Sequence, residues 1–241
     1  MLTLLVLKDV EAHSGDTIDQ IMAASKGSLG YKANIVLINA GTNDARMNLD
    51  IPHTGDRMRS LIESLRAAEG GDRMTIVLST LIPSHEPNTA TNRQSINQQY
   101  RALVDQMRRE GVPIVLADMD PESPASGHNW ISWPTDYQHG DAPDDTHPND
   151  TGYAKMAYVF YTAILDASKR GYLKESYEKS VTSGPSCEKQ YGDGAYVGIT
   201  QRGSGEDDGI YKHKSQEMGI VTTVTSDYDR GQWFFARLYS E

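Results

Sequence analysis

The feature that most constrains the fold is a continuous apolar run at residues 34–39, Asn-Ile-Val-Leu-Ile-Asn. Because it is rich in β-branched residues and does not alternate with polar positions, it predicts a strand covered on both faces. Residues 74–79 and 112–117 predict two further strands, and the apolar residues 2–7 predict a short buried strand at the start. Strands of this kind are typical of a parallel sheet with helices on both faces.

Helical periodicity fills the intervals between the predicted strands. It predicts helices over residues 54–68, 92–110 and 150–169, and a short helix over residues 18–24. We expect Asp16 or Thr17 to cap the short helix, and residues 82–91 to form a loop. The apolar faces are expected to be Met58, Leu61, Ile62 and Leu65 in the first long helix, and Ala154, Ala157, Tyr158, Tyr161 and Leu165 in the last.

This alternation of strands and helices predicts a doubly wound α/β domain, with parallel strands joined by right-handed crossovers. After residue 171 the composition changes: glycine becomes frequent, helical periodicity disappears, and residues 220–225 and 232–238 have the pattern of strands. We therefore divide the chain into an α/β domain at residues 1–171 and an incomplete β-rich extension at residues 172–241. The second part would be a linker and the start of a module too short to bury much core alone.

Charge and hydropathy limit the partners. The formal net charge is −10, with acidic residues spread along the chain, which argues against nucleic acid and anionic membranes. No apolar run approaches the ~18 residues of a membrane span. Residues 2–7 are about half the length of a signal-peptide core and lack a basic segment before them, so we expect no signal peptide in this chain. A single cysteine, Cys187, excludes an internal disulfide.

Residues 144–149, Asp-Asp-Thr-His-Pro-Asn, place a carboxylate three positions before a histidine. One turn would bring Asp144 and His147 to the same side of the backbone. The carboxylate would then accept the Nδ1–H of the imidazole and leave Nε2 free as a general base. Such a pair is two-thirds of a nucleophilic triad. The alternative is that the segment only caps the helix that follows.

A second polar segment, Gly41-Thr42-Asn43-Asp44, follows the apolar run at residues 34–39. Ligands of doubly wound sheets bind beyond the carboxyl ends of the strands. We therefore expect this segment to lie at the same edge of the sheet as the loop leading to His147. A simple turn after a strand would have a similar composition, since Gly, Asn and Asp all favour turns.

Together these segments resemble the sequence blocks of the SGNH (GDSL-type) esterase family. Gly41-Thr42-Asn43-Asp44 matches the Gly-x-Asn-Asp block, and residues 144–147 match the Asp-x-x-His block. Residues 10–21 look like the glycine block with Gly15 as its glycine, although a plain turn glycine would look the same. The nearest likeness is to fungal carbohydrate esterases of the acetylxylan-esterase type. Residues 201–237 are similar to the segment joining such esterases to an FG-GAP (VCBS-type) module.

The resemblance assigns roles to particular residues. His147 would carry the proton, and Asp144 would orient the imidazole and stabilise its charged form. The side-chain amide of Asn43 and the backbone N–H of Gly15 would form the oxyanion hole. Gly41 would belong to the supporting loop.

Within that same loop, the resemblance makes Asp44 a structural partner rather than a proton carrier. It also implies a flavodoxin-like three-layer fold and a Ser-His-Asp mechanism without a cofactor. The substrate would be a small ester or an acetylated polysaccharide of the plant wall, and the setting extracellular.

The sequence departs from the family pattern at the serine block. That block should lie well upstream of Gly15, on the first strand-to-helix turn, yet only fourteen residues precede Gly15 and none forms a Gly-Asp-Ser-like turn. Ser14 adjoins the glycine, where the family places no nucleophile. We therefore expect the chain to lack a nucleophile and to be nearly inactive, because a triad without its serine loses about six orders of magnitude in turnover. The rival hypothesis is a non-catalytic protein that binds carbohydrate in the same cleft.

Other polar groups have plainer explanations. We expect no metal at Asp141, Asp144, Asp145 and His147, because no His-x-x-x-His pair or matching carboxylate set accompanies them. The acidic residues 207–208 and 227–229 lack the regular ligand spacing of a calcium loop. Trp130 and Trp133 would either line a sugar-binding cleft or pack the long loop at residues 119–145. We expect five histidines to be solvated in loops: His13, His53, His85, His128 and His139.

Overall fold

A computed structural model describes residues 8–122, 131–174 and 232–236. The strands are β1 (Lys8–Ala12), β2 (Ile35–Ile38), β3 (Thr75–Ser79), β4 (Ile114–Ala117), β5 (Gln138–His139), β6 (Ala142–Pro143) and β7 (Gln232–Ala236). The α-helices are α1 (Ile18–Ala24), α2 (Thr42–Arg46), α3 (Thr54–Arg66), α4 (Pro87–Arg109) and α5 (Asp150–Lys169). Five strands form one sheet in the order β1-β7-β2-β3-β4, and β5 pairs with β6.

The sheet has a parallel centre. β2 pairs in parallel with β3, and β3 with β4. β7 runs antiparallel to both of its neighbours, β1 and β2, so β1 runs in the same direction as β2. Helices cover both faces, which confirms the predicted α/β fold with a parallel sheet.

Successive strand residues point into two separate cores, because side chains of a strand alternate between its faces. Val36 and Ile76 face the core that contains residues of α1, α3 and α4. Ile35 and Val77 face the core formed with α5. The face predicted for α3 is buried as expected: Met58, Leu61, Ile62 and Leu65 are all at most 1% exposed.

The packed face of α5 differs from the predicted one. Ala154 is exposed and Tyr158 is 48% exposed, whereas Ala157 is buried and Tyr161 is partly buried. Leu165 is also only partly buried. Apolar residues occur on nearly all sides of this helix, so periodicity alone does not select a face, and contact with β3 and β4 does. The buried residues are Gly152, Met156, Ala157, Phe160, Ala163, Ile164 and Ala167.

Two element boundaries also differ from the predicted ones. The loop predicted at residues 82–91 ends early, because α4 begins at Pro87, where a helix tolerates proline at its first position. The Glu86 carboxylate caps α4 by accepting the backbone N–H of Asn88 and of Thr89. The predicted loop that holds Gly41 and Asp44 is instead the start of a helix, with Gly41 as the N-cap of α2.

The two ends of the chain are described only in part. The predicted strand at residues 2–7 lies outside the described residues, and β1 begins at Lys8, where the sequence predicts the first strand to end. The predicted strand at residues 220–225 also lies outside them. β7 pairs within the main sheet, but residues 175–231 are not described, so the division at residue 171 stays a prediction. In the described ranges, no helix is both long and apolar enough to cross a membrane.

Candidate active site

Asp144 and His147 form a local pair in the turn before α5. The Oδ1 atom of Asp144 accepts the backbone N–H of Thr146 and of His147, each at 2.6 Å. His147 Nδ1 lies 3.2 Å from both oxygens of the same carboxylate. The pair does not cap the helix, because the N-cap of α5 is Asn149, whose side chain accepts the N–H of Gly152 at 3.1 Å.

The surroundings of Asp144 keep its carboxyl ionised. Burial alone would raise its pKa, but the backbone N–H groups of His147 and Thr146 and the His147 ring together lower the pKa below its usual value. A carboxylate at this place fixes the imidazole with its Nδ1 directed to Asp144. Among the described residues, no hydrogen bond is made by His147 Nε2.

The predicted oxyanion residues come from two segments at the same edge of the sheet. Gly15 follows β1 and has a φ of +77°, a left-handed conformation that favours glycine. Asn43 lies in the first turn of α2, and its Nδ2 donates a hydrogen bond of 3.1 Å to the carbonyl of Asp16. An amide nitrogen carries two hydrogens, so this bond leaves Asn43 a second N–H to donate.

The side chain of Asp44 connects these two segments, the start of α1 and the start of α2. Its side chain is fully buried, and it accepts the N–H of Ile18 at 3.0 Å and the Nη2 of Arg57 at 2.9 Å. Burial raises the pKa of Asp44, and the bonds from Ile18 and Arg57 oppose that rise without cancelling it. Asp44 is not among the residues that line the cavity described below, and its structural role stays a prediction.

Two observations explain why position 41 is a glycine: its backbone conformation and the closeness of the Tyr100 side chain. Its φ is +108°, outside the range that residues with a side chain adopt readily. A Cβ atom at this position would collide with the hydroxyl of Tyr100, which donates a hydrogen bond of 2.9 Å to the carbonyl of Ala40. The absence of a side chain at position 41 therefore allows Tyr100 of α4 to hydrogen-bond to the turn between β2 and α2.

A cavity of about 540 Å³ joins these groups beyond the carboxyl ends of β1 and β2. The predicted residues that line it are Gly15, Gly41, Asn43, Asp144 and His147. Further polar side chains that the sequence did not indicate also line it: His13, Arg46, Glu86 and Tyr153. They come from four separate segments, and no local pattern in the sequence connects them.

The other histidines have more varied surroundings than expected. His53 is exposed and pairs with Asp50 at 2.8 Å, while His13 lines the cavity with its Nδ1 3.7 Å from an Asp16 oxygen. His139 Nε2 lies 3.0 Å from the carbonyl of His147, and His128 lies outside the described residues.

The His85 ring is exposed, but it also stacks on the ring of Trp133, with ring centroids 3.9 Å apart. Trp133 itself packs against the core under α5, and Trp130 is not described. Within the described ranges, no group of three His, Cys, Asp or Glu residues could hold a metal ion.

Parallel strands between helical layers, with the polar cavity beyond their carboxyl ends, are the architecture of a doubly wound α/β fold and are consistent with the SGNH hydrolase type. The chain belongs to the GDSL-like lipase/acylhydrolase family, whose model matches residues 4–155. This is a family of ester hydrolases. No curated protein matches the chain significantly.

Solved structures of similar fold include three esterases. A carbohydrate esterase family 3 protein from Talaromyces cellulolyticus is 21% identical over 66% of this chain and 70% of that chain, with a TM-score of 0.52. An acetyl esterase mutant with an acetate ion is 21% identical over 66% and 71%, with a TM-score of 0.51. A family 3 carbohydrate esterase from Clostridium thermocellum is 22% identical over 66% and 70%, with a TM-score of 0.49. At these identities the likeness concerns the fold alone.

Proposed function

We propose that this chain has the site of a carboxylic-ester hydrolase of the Ser-His-Asp type, for small esters or acetylated plant-wall polysaccharide in an extracellular setting. The observation that supports it is the sharing of one cavity by the Asp144–His147 pair and the two donors Gly15 and Asn43. Ester hydrolysis passes through a tetrahedral oxyanion, and each well-placed donor contributes about 3–4 kcal/mol to its stabilisation. His147 would transfer the proton, and Asp144 would stabilise the imidazolium.

The proposal assigns no nucleophile within this chain. Ser14 is the one serine among the residues that line the cavity. It is exposed, and in the described part of the chain its hydroxyl makes no hydrogen bond to His147. We propose that the chain therefore has little or no turnover of its own, at a level about six orders of magnitude below that of an intact triad.

A second candidate function is carbohydrate binding without hydrolysis. The cavity lining supports it, because Asp16, Asn39 and Glu86 add hydrogen-bonding groups suited to sugar hydroxyls. Such a protein would use the same cavity and would not need a nucleophile.

Serine labelling and ester turnover test the hydrolase proposal. The chain is incubated with a fluorophosphonate probe and with p-nitrophenyl acetate, beside His147→Ala, Ser14→Ala and the control His53→Ala. His53 is an exposed histidine paired with a carboxylate, as His147 is, but it does not line the cavity. We expect no labelling and only residual turnover. Labelling that His147→Ala abolishes and His53→Ala retains would disprove the absence of a nucleophile.

Binding separates the two candidates. Acetylated xylo-oligosaccharides are titrated into the chain, and backbone amide shifts of Gly15, Asn43 and His147 are followed by NMR. Residual p-nitrophenyl acetate turnover that His147→Ala lowers and His53→Ala retains favours the hydrolase site. Shifts confined to these residues without any turnover that depends on His147 favour the carbohydrate-binding function. If neither binding nor His147-dependent turnover is found, both proposals fail.

A further inference from the structure

Resting on the proposed function, we propose that Trp133 and His85 are positioning residues for the Asp144–His147 pair. The indole N–H of Trp133 holds the backbone of Asp144, and the stacked His85 ring holds the indole in place. Neither residue lines the cavity, so they act through Asp144 and not on a substrate.

The first contact fixes both backbone groups of Asp144. Trp133 Nε1 donates to the Asp144 carbonyl at 3.1 Å, and the Asp144 N–H donates to the carbonyl of Tyr137 at 2.8 Å. Tyr137 is fully buried, and its hydroxyl donates to the carbonyl of Pro83. With its N–H and carbonyl both held, the backbone of Asp144 is fixed in the position from which its carboxylate accepts the N–H groups of Thr146 and His147.

The second contact fixes the indole. The rings of His85 and Trp133 are stacked with 3.9 Å between centroids and 6° between planes. His85 belongs to the segment between β3 and α4, and its side chain is 61% exposed, so it covers the indole from the solvent side. Trp133 contacts the core under α5 as well. The indole therefore lies between the protein core and the His85 ring.

The third contact ties the residue after Asp144 to the same segment. The carbonyl of Asp145 accepts hydrogen bonds from His85 N at 2.7 Å, Ser84 Oγ at 2.8 Å and Glu86 N at 3.3 Å. His85 Nδ1 also lies 3.4 Å from Asp145 Oδ1. Trp133 thus holds the backbone of Asp144, and residues 84–86 hold the backbone of Asp145. The stacking of the His85 ring on Trp133 connects these two sets of contacts.

This arrangement matters because the pair itself is open to solvent. The side chain of His147 is 46% exposed and that of Asp144 is 27% exposed. An exposed turn tends to open locally, and a catalytic group misplaced by about 1 Å can lower a rate about 100-fold. Supports outside the cavity can restrict the turn without blocking access to His147 Nε2.

Two variants test the positioning role. Trp133→Phe removes the indole N–H but keeps an aromatic ring for the stack, and His85→Ala removes the stack at an exposed position. His53→Ala serves as the matched control. The readouts are hydrogen exchange of the Thr146 and His147 amides, the pKa of the Asp144 carboxyl followed by NMR, and the thermal midpoint.

We expect Trp133→Phe to speed exchange of the two amides about fivefold, as the loss of one hydrogen bond implies. The pKa of Asp144 should rise toward its ordinary value, because the N–H groups of Thr146 and His147 hold it down. His85→Ala should act in the same direction more weakly, and His53→Ala should leave both readouts unchanged.

Unchanged amide exchange and an unchanged Asp144 pKa in both variants would overturn the positioning role. So would exchange that rises throughout the chain in step with a falling thermal midpoint, since that is the result of general packing. If Trp133→Phe does not fold, the exposed His85→Ala decides by the same readouts. None of these measurements requires turnover, so their failure leaves the hydrolase proposal standing, and an inactive chain leaves this role testable.

Discussion

The side-chain amide of Asn43 donates a hydrogen bond of 3.1 Å to the carbonyl of Asp16, 27 positions earlier in the chain. Beside it, Asp44 accepts the N–H of Ile18 at 3.0 Å. These two bonds tie the start of α2 to the start of α1 and bring Asn43 next to Gly15. The two proposed oxyanion donors therefore belong to one braced unit, although they are distant in sequence.

Asp44→Asn should weaken this unit strongly. The two oxygens of the buried carboxylate accept Ile18 N–H and Arg57 Nη2. Asparagine has only one acceptor oxygen, and it would leave the guanidinium of Arg57, which is 14% exposed, with Asp50 at 3.6 Å as its remaining charge partner. The loss of a hydrogen bond to a charged group in a buried setting costs about 1–3 kcal/mol. Denaturant unfolding measures the loss in the free energy of unfolding.

The matched control for this change is Asp50→Asn. Asp50 is also an ion-pair partner of Arg57, at 3.6 Å, but its side chain is 54% exposed. Its loss should cost less than about 1 kcal/mol, because solvent screens an exposed pair. Equal losses in the two variants would contradict the bracing role of Asp44.

Gly41→Ala should destabilise the protein by about 3 kcal/mol, because it combines backbone strain with a collision. The φ of +108° disfavours a side chain, and the added Cβ meets the hydroxyl of Tyr100. Tyr100→Phe alone should cost about 1 kcal/mol through its lost bond to the Ala40 carbonyl.

A double-mutant cycle separates the two effects at Gly41. In Gly41→Ala combined with Tyr100→Phe, the collision is removed but the strain remains. The combined loss in the free energy of unfolding should therefore be smaller than the sum of the two single losses by about 1 kcal/mol. Simple additivity would show that the hydroxyl does not oppose a side chain at position 41.

The sequence was most informative where a feature is local. Asp144 and His147 are three positions apart, and a turn joins them whatever the rest of the chain does. The buried strand β2 and the helix α5 were predicted within one or two residues, because their composition and periodicity depend on few neighbours. The resemblance assigned Gly41 to a supporting loop, but the close approach of the Tyr100 hydroxyl to this position depends on α4 and has no signal in the sequence.

Features that depend on distant segments were not predictable in this way. Arg46 and Glu86 line the cavity only because α2 and the start of α4 meet there. The hydrogen bond from Trp133 to Asp144 depends on the path of the loop between them. The place of β7 beside β2 depends on pairing across nearly the whole chain, which no local pattern encodes.

The ionisation of Asp120 should make the free energy of unfolding depend on pH. Asp120 is fully buried after β4 and bonds to Arg93 at 2.6 Å and to Arg101 at 2.9 Å. Burial would raise its pKa, but the hydrogen bonds from the two guanidinium groups lower the pKa to about 2. An unfolded aspartate has a pKa of about 3.9, so this group stabilises the fold above about pH 4, by about 2 kcal/mol. That contribution is lost as the pH falls toward 2.

Denaturant unfolding of the native chain and of Asp120→Asn between pH 7 and pH 2 measures this effect. The difference in the free energy of unfolding should be largest at pH 7 and should shrink below about pH 4, because protonation then makes the native side chain neutral as well. The raised pKa of Asp44 changes the free energy of unfolding with pH in the opposite direction. Because Asp44 is present in both proteins, its contribution cancels in the difference. A difference that does not vary with pH would contradict the assignment.

Asp144→Asn removes the negative charge of the side chain but keeps an oxygen that can maintain the turn. The amide oxygen of asparagine can still accept the N–H groups of Thr146 and His147, so the free energy of unfolding should change by about 1 kcal/mol or less. The amide nitrogen would face His147 Nδ1 and favour the wrong tautomer, which lowers turnover about 10⁴-fold in triads. The nitrogen-15 NMR shifts of the His147 ring, which distinguish the two neutral tautomers, check this in the chain as it stands.

Asp145→Asn is the neighbouring control, since its side chain is 58% exposed and pairs only with His85 among the described residues. If both variants changed the tautomer of His147 equally, Asp144 would have no special role in orienting His147.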